Sequence, residues 1–72
     1  MATCQVNLNS IEKIKSFVEA LRKSEGTYEL ASGKYVINAK SIMGIFSLDL
    51  TKPIEFRSQT GVIPSAVLPF LA

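Results

Sequence analysis

The sequence predicts an α+β domain in which two to three helices lie on one face of a four-stranded antiparallel sheet, an open-faced two-layer sandwich. Three observations carry that prediction. Short stretches of alternating apolar and polar residues recur four times along the chain. Two amphipathic stretches of helical character each follow one of them, giving the order β-α-β-β-α-β. A very short link containing Gly33 joins the second and third stretches, as a hairpin requires. With 72 residues, the chain has material for a single core, so residues 1–72 are read as one domain.

Each element has a local reason. Thr3-Cys-Gln-Val-Asn-Leu8 places Cys4, Val6 and Leu8 on one face, the pattern of a half-buried strand. Asn9-Ser10-Ile11-Glu12 then reads as a helix start: Asn9 or Ser10 is the cap, and Glu12 can reach back in a capping box. Ile11, Ile14, Val18 and Leu21 follow at spacings of three or four residues, with Phe17 widening the stripe, and predict an amphipathic helix of about three turns. Gly26 is placed to end it through a positive φ. Thr27 to Ala31 is a second strand with Tyr28 and Leu30 on one face. Ser32-Gly33 is a tight turn, and Lys34 to Ala39 a third strand with Tyr35 and Ile37 on one face.

Ser41-Ile-Met-Gly-Ile-Phe-Ser-Leu48 is too crowded with apolar residues for clean alternation. It predicts a short helix of about two turns capped by Ser41 and weakened by Gly44. Lys52-Pro53 is a turn, and Ile54 to Ser58 alternates as a fourth strand whose first residues tolerate a proline. At the end, Pro64 suits the first position of a helix that Pro69 would disturb. The apolar content of Val62 to Leu71 predicts a short or irregular helical piece packed on the core.

Composition narrows the chemistry. Eight basic and six acidic side chains leave a net charge of +2, which makes no electrostatic case for nucleic acid. A single cysteine, Cys4, cannot form an internal disulfide. No apolar run approaches a membrane span, and nothing reads as a signal peptide, so neither membrane nor export is expected. The chain contains no histidine, which removes histidine bases, histidine metal ligands and phosphohistidine chemistry together. The six carboxylates show no paired-acid or metal spacing, and no phosphate loop, dinucleotide fingerprint or nucleophile elbow is present. No cofactor, metal site or catalytic residue is therefore expected, and the protein is not read as an enzyme.

The run Gly33-Lys-Tyr-Val-Ile-Asn-Ala-Lys-Ser-Ile-Met-Gly-Ile-Phe-Ser-Leu48 resembles the middle of HPr, the histidine-containing phosphocarrier family of the bacterial sugar phosphotransferase system. In that family a Gly-Lys hairpin and strand lead into Lys-Ser-Ile-Met-Gly and a short helix ending in Ser-Leu, and Lys40 to Gly44 with Ser47-Leu48 match closely. The resemblance implies a cytoplasmic, bacterial protein and a fold of four antiparallel strands carrying three helices on one face. It implies that Ser41 corresponds to a serine that a dedicated kinase phosphorylates, with Lys40 beside it. It further implies that Ile42, Met43 and Phe46, with Lys40, form a patch for protein partners: enzyme I, HPr kinase or a transcriptional regulator.

The departures are as informative as the match. The family carries His-x-Arg-Pro where its first helix begins, whereas this chain reads Asn9-Ser-Ile-Glu-Lys13. Ser10, or Asn9 with a one-residue shift, holds the histidine's place. A phosphoserine ester cannot replace the high-energy phosphoramidate, and Glu12 would repel an incoming phosphate. The terminal helix is also shorter than the family's. The implied role is thus regulation or protein binding with Ser41 as phosphoacceptor. Two alternatives stand beside it: phosphotransfer through Ser10, and a structural module whose apolar Val62 to Leu71 segment packs on a second copy. Each candidate also has a plainer role. Ser10 and Ser41 can be ordinary helix caps, Ile42 and Phe46 can face the core, and Cys4 can be a small core residue.

Overall fold

The computed structural model describes all 72 residues and has the predicted α+β architecture. The elements in order are β1 (Ala2–Val6), α1 (Ile11–Arg22), β2 (Tyr28–Ser32), β3 (Tyr35–Asn38), α2 (Ile42–Phe46), β4 (Ile54–Ser58) and a 3₁₀ helix (Ser65–Phe70). The four strands form one sheet in the order β1-β4-β2-β3, with every neighbouring pair antiparallel. The strand placed last in the sequence therefore sits inside the sheet, between β1 and β2.

Register decides which face each residue takes. Cys4 lies opposite Phe56, Phe56 opposite Leu30, and Leu30 opposite Ile37, and this row faces the helices. The next row, Thr3, Arg57, Glu29 and Asn38, points to the open face. Because side chains alternate with period two, a slip of one residue would drive Arg57 and Glu29 into the core. Polar pairs occupy the open face: Arg57 Nε meets Glu55 Oε2 at 2.6 Å, and Gln59 donates to Glu29 at 2.9 Å.

On the covered face, Val6, Leu8, Ile14, Phe17, Val18, Leu21, Tyr28, Leu30, Ile45, Ile54, Phe56 and Val67 belong to one buried cluster. Phe17 is its centre, meeting Phe56 edge-on at 6.1 Å and Phe70 edge-on at 5.3 Å. Such T-shaped contacts set the positive ring edge against a negative face. Tyr28 stacks on Phe56 at 5.6 Å, so two strands and two helical elements share one aromatic chain.

Several local expectations are corrected. Ser10, not Asn9, caps α1, accepting from the Lys13 backbone N–H at 3.2 Å. That cap puts Lys13 where a capping box needs an acid, so Glu12 does not reach back; the Lys13 ammonium instead donates to Asn9 Oδ1 at 3.1 Å. Ile11 is 60% exposed, because the buried stripe begins one turn later at Ile14. The helix ends at Arg22 with Lys23 in ordinary right-handed geometry, and the Lys23 and Ser24 N–H groups close it on Ala20 and Leu21. Gly26 does not end it. With φ 138°, Gly26 lies against the Tyr28 ring, where an added Cβ would stand 3.0 Å from the phenol oxygen.

The first strand stops at Val6, and Leu8 reaches the core beyond it. The hairpin turn is Gly33-Lys34 and not Ser32-Gly33, because Ser32 pairs with Tyr35. Gly33 alone has positive φ there, the pattern of a type II′ turn. Tyr35 is 68% exposed: it sits at the hairpin's far end on the edge strand, and only Ile37 of its face packs on the core. Pro64 is the cap of the 3₁₀ helix instead of its first residue, and Pro69 lies within it. The chain then runs along the outer edge of β1. Asn7 donates to the Phe70 carbonyl at 2.8 Å, Ala72 donates to the Gln5 carbonyl at 2.9 Å, and Leu71 bridges Val6.

Candidate functional site

The segment Asn38–Ser47 gathers five of the six residues singled out from the sequence. The chain leaves β3 through a turn that Asn38 closes twice: its carbonyl accepts from the Ser41 N–H at 3.0 Å, and its Oδ1 accepts from the Lys40 N–H at 2.9 Å. Ala39 is fully buried between them, and its N–H donates to the Tyr28 carbonyl at 3.0 Å. Ser41 is therefore delivered to the start of α2 with extended backbone geometry, φ −93° and ψ 104°. Its Oγ accepts from the Gly44 N–H at 3.2 Å, satisfying one of the free donors of the helix start.

Gly44 in the middle of so short a helix has a packing reason. An added Cβ would stand 3.2 Å from Ser41 Oγ and 3.3 Å from Ile37 Cβ, so glycine lets α2 lie this close to β3 without displacing either neighbour. The helix turns Ile45 wholly inward and Ile42 partly so. Met43 is 76% exposed and Phe46 44%. Ser47 closes the other end, its hydroxyl donating to the Gly44 carbonyl at 2.6 Å. A helix of five residues, shorter than the two turns expected, thus presents a flexible thioether and an aromatic edge to solvent beside a half-buried serine hydroxyl.

Lys40 is engaged within the fold. Its ammonium donates to the Ser24 carbonyl at 2.9 Å, just past the end of α1, and lies 5.5 Å from the centre of the Tyr28 ring. A cation at a helix C-terminus is favoured by the helix dipole, and the ring face adds to it. The Tyr28 hydroxyl donates to the Glu25 carbonyl at 2.9 Å, so the α1–β2 loop is held from both sides. Nothing in the sequence pattern signalled this cluster, because Lys40 and Ser24 are 16 positions apart.

Ser10 lies apart from this segment as the exposed cap of α1, with neither arginine nor histidine beside it. Cys4 is half-buried at the core margin, where loss of hydration pushes its thiol pKa up. That makes it less reactive than a free thiol. Asp49 is held below the ordinary carboxylate range, first by the Thr51 hydroxyl at 2.6 Å and then by the Thr51 backbone N–H. An open depression lies beside Glu19, Arg22 and Lys23 at the C-terminal end of α1, and no hydrophobic residue lines it. No group of three or more cysteine, aspartate or glutamate side chains gathers to hold a metal, and no helix is long and apolar enough to cross a membrane.

Comparison of the chain with protein-family models, with curated proteins and with solved structures returned no match.

Proposed function

We propose that the chain is a divergent member of the HPr family without the phosphohistidine, a cytoplasmic protein-binding domain that regulates the sugar phosphotransferase system or its control circuits. The observation that carries this reading is the placement of Lys40-Ser-Ile-Met-Gly44 on an open-faced sandwich: Ser41 at the start of α2, Met43 and Phe46 outward. Ser41 is the phosphoacceptor of this reading. A kinase would transfer the γ-phosphoryl group of ATP to Ser41 Oγ, releasing ADP and the hydroxyl proton. Met43 and Phe46, flanked by the half-buried Ile42, form the partner-docking patch, since flexible apolar side chains on a small domain suit shared contacts.

Incubation with HPr kinase and ATP, followed by mass spectrometric mapping, tests the phosphoacceptor. A single phosphate on Ser41, absent in Ser41→Ala, is the expected outcome; no incorporation removes it. Incubation with phosphoenolpyruvate and enzyme I should leave the chain unlabelled, and labelling at Ser10 would restore the phosphotransfer alternative.

A further inference from the structure

We propose that Lys40 couples the modification state of Ser41 to the α1–β2 loop. This inference rests on Ser41 being the phosphoacceptor of the reading above and adds what the phosphate does inside the domain. Lys40 is joined to Ser41 by a single peptide bond, yet its ammonium reaches away from Ser41 to the Ser24 carbonyl at 2.9 Å. The acceptor is a neutral peptide oxygen, and the remaining contact is the Tyr28 ring face at 5.5 Å. Neither carries a formal negative charge.

The phosphoryl group forms its new P–O bond at Ser41 Oγ as the terminal phosphoanhydride bond of ATP breaks; ADP leaves and the hydroxyl proton passes to the kinase's base. The product carries close to two negative charges and three strong acceptor oxygens next to a long, flexible ammonium side chain. A charge-assisted pair between ammonium and phosphate outweighs a bond to an uncharged carbonyl, so the Lys40 ammonium transfers from Ser24 to the phosphate. The Ser24 carbonyl then loses its cation, and the loop Ser24–Thr27 keeps the Ser24 N–H bond to the Leu21 carbonyl, the Tyr28 hydroxyl bond to Glu25 and the Gln59 N–H bond to the Thr27 carbonyl. Phosphorylation of α2 is thereby read out at the far end of α1.

Other features are consistent with a single transferable cation. The first turn of α2 contains no acidic residue, and Lys40 is half-buried, so its ammonium is partly shielded from bulk water.

The test installs phosphoserine at position 41 during chemical synthesis of the full chain, so it does not depend on any kinase. Nuclear magnetic resonance then follows the Ser24 carbonyl carbon and amide exchange across Ser24–Thr27. The expected result is a shift of the Ser24 carbonyl signal toward its position in Lys40→Met, with exchange of the Ser24 amide accelerated at least fivefold. Treatment with phosphatase reverses both. The same phosphate in Lys40→Met leaves the Ser24 signals where they were, while Lys40→Arg, which keeps the charge, retains a phosphate-dependent change and serves should Lys40→Met not fold. Unchanged Ser24 signals in the phosphorylated wild-type chain, or an equal change without a cation at position 40, overturns the coupling. Failure of kinases to modify Ser41 would instead count against the proposed function and leave this measurement intact.

Discussion

Gly26 shows how a single residue's role follows from geometry and not from its type. A glycine just past an amphipathic stretch suggests a helix stop, yet α1 closes three residues earlier on ordinary right-handed geometry. What Gly26 supplies is a positive φ and room for the Tyr28 ring. Gly26→Ala should therefore lower stability by about 2 kcal/mol, strain and crowding acting together, as measured by urea denaturation. Gly44 is the converse case. Alanine there would gain about 1 kcal/mol of helix propensity, but Ile37 Cβ is fixed by the strand backbone and cannot yield. Gly44→Ala is expected to be net destabilising, and a raised midpoint in the same experiment would contradict the close approach of α2 to β3.

Asp49 gives a residue-level prediction in pH. Its folded pKa lies below the unfolded value because Thr51 donates twice to the carboxylate. The stabilisation is present above the unfolded pKa and is lost as pH falls through the folded one. Asp49→Asn should lower the melting temperature near neutrality and leave it little changed at low pH, so that the acid side of the profile flattens below about pH 4. Equal acid sensitivity in the variant would assign that slope to other groups.

Among the elements, the C-terminal 3₁₀ helix shows most clearly what patterning leaves open. Its apolar residues and two prolines foretell an irregular helical piece on the core, and that is what forms. Where it docks follows from Phe70 meeting Phe17 and from two backbone bonds to the β1 edge, neither of which leaves a periodic trace. The tail also covers part of an edge strand that would otherwise offer free N–H and C=O groups. A chain ending after Pro64 should lose cooperative thermal unfolding, because it removes the fully buried Val67 and uncovers Phe17. Circular dichroism would show this, and a sharp transition retained in the truncated chain would make the strap dispensable. At α1, Ser10→Ala removes the cap to Lys13 and should cost about 1 kcal/mol in the same denaturation assay.

At the scale of the molecule, the margin is narrow. A domain of this length has roughly 4 to 11 kcal/mol of stability at about 0.05–0.15 kcal/mol per residue. Phe17→Ala would remove about 3–5 kcal/mol, and with it the ring on which Phe56 and Phe70 both pack. The variant should be largely unfolded at 37 °C; a well-dispersed amide spectrum at that temperature would show that the core is less centralised than the contacts imply.

The order of elements, the existence of the hairpin, the alternation of β4 and the buried stripe of α1 from Ile14 onward were legible in the amino acids. Each is a local matter of side-chain period, capping or turn chemistry acting over a few neighbouring positions. Ser41 as a helix cap was legible for the same reason. Other features answered only to distant partners: β4 inserted between β1 and β2, Tyr35 overhanging the edge, the Lys40 ammonium turned to Ser24, and Leu71 laid along Val6. Contacts between residues far apart in the chain depend on which surfaces meet when the helices close over the sheet, and no period along the sequence encodes that meeting.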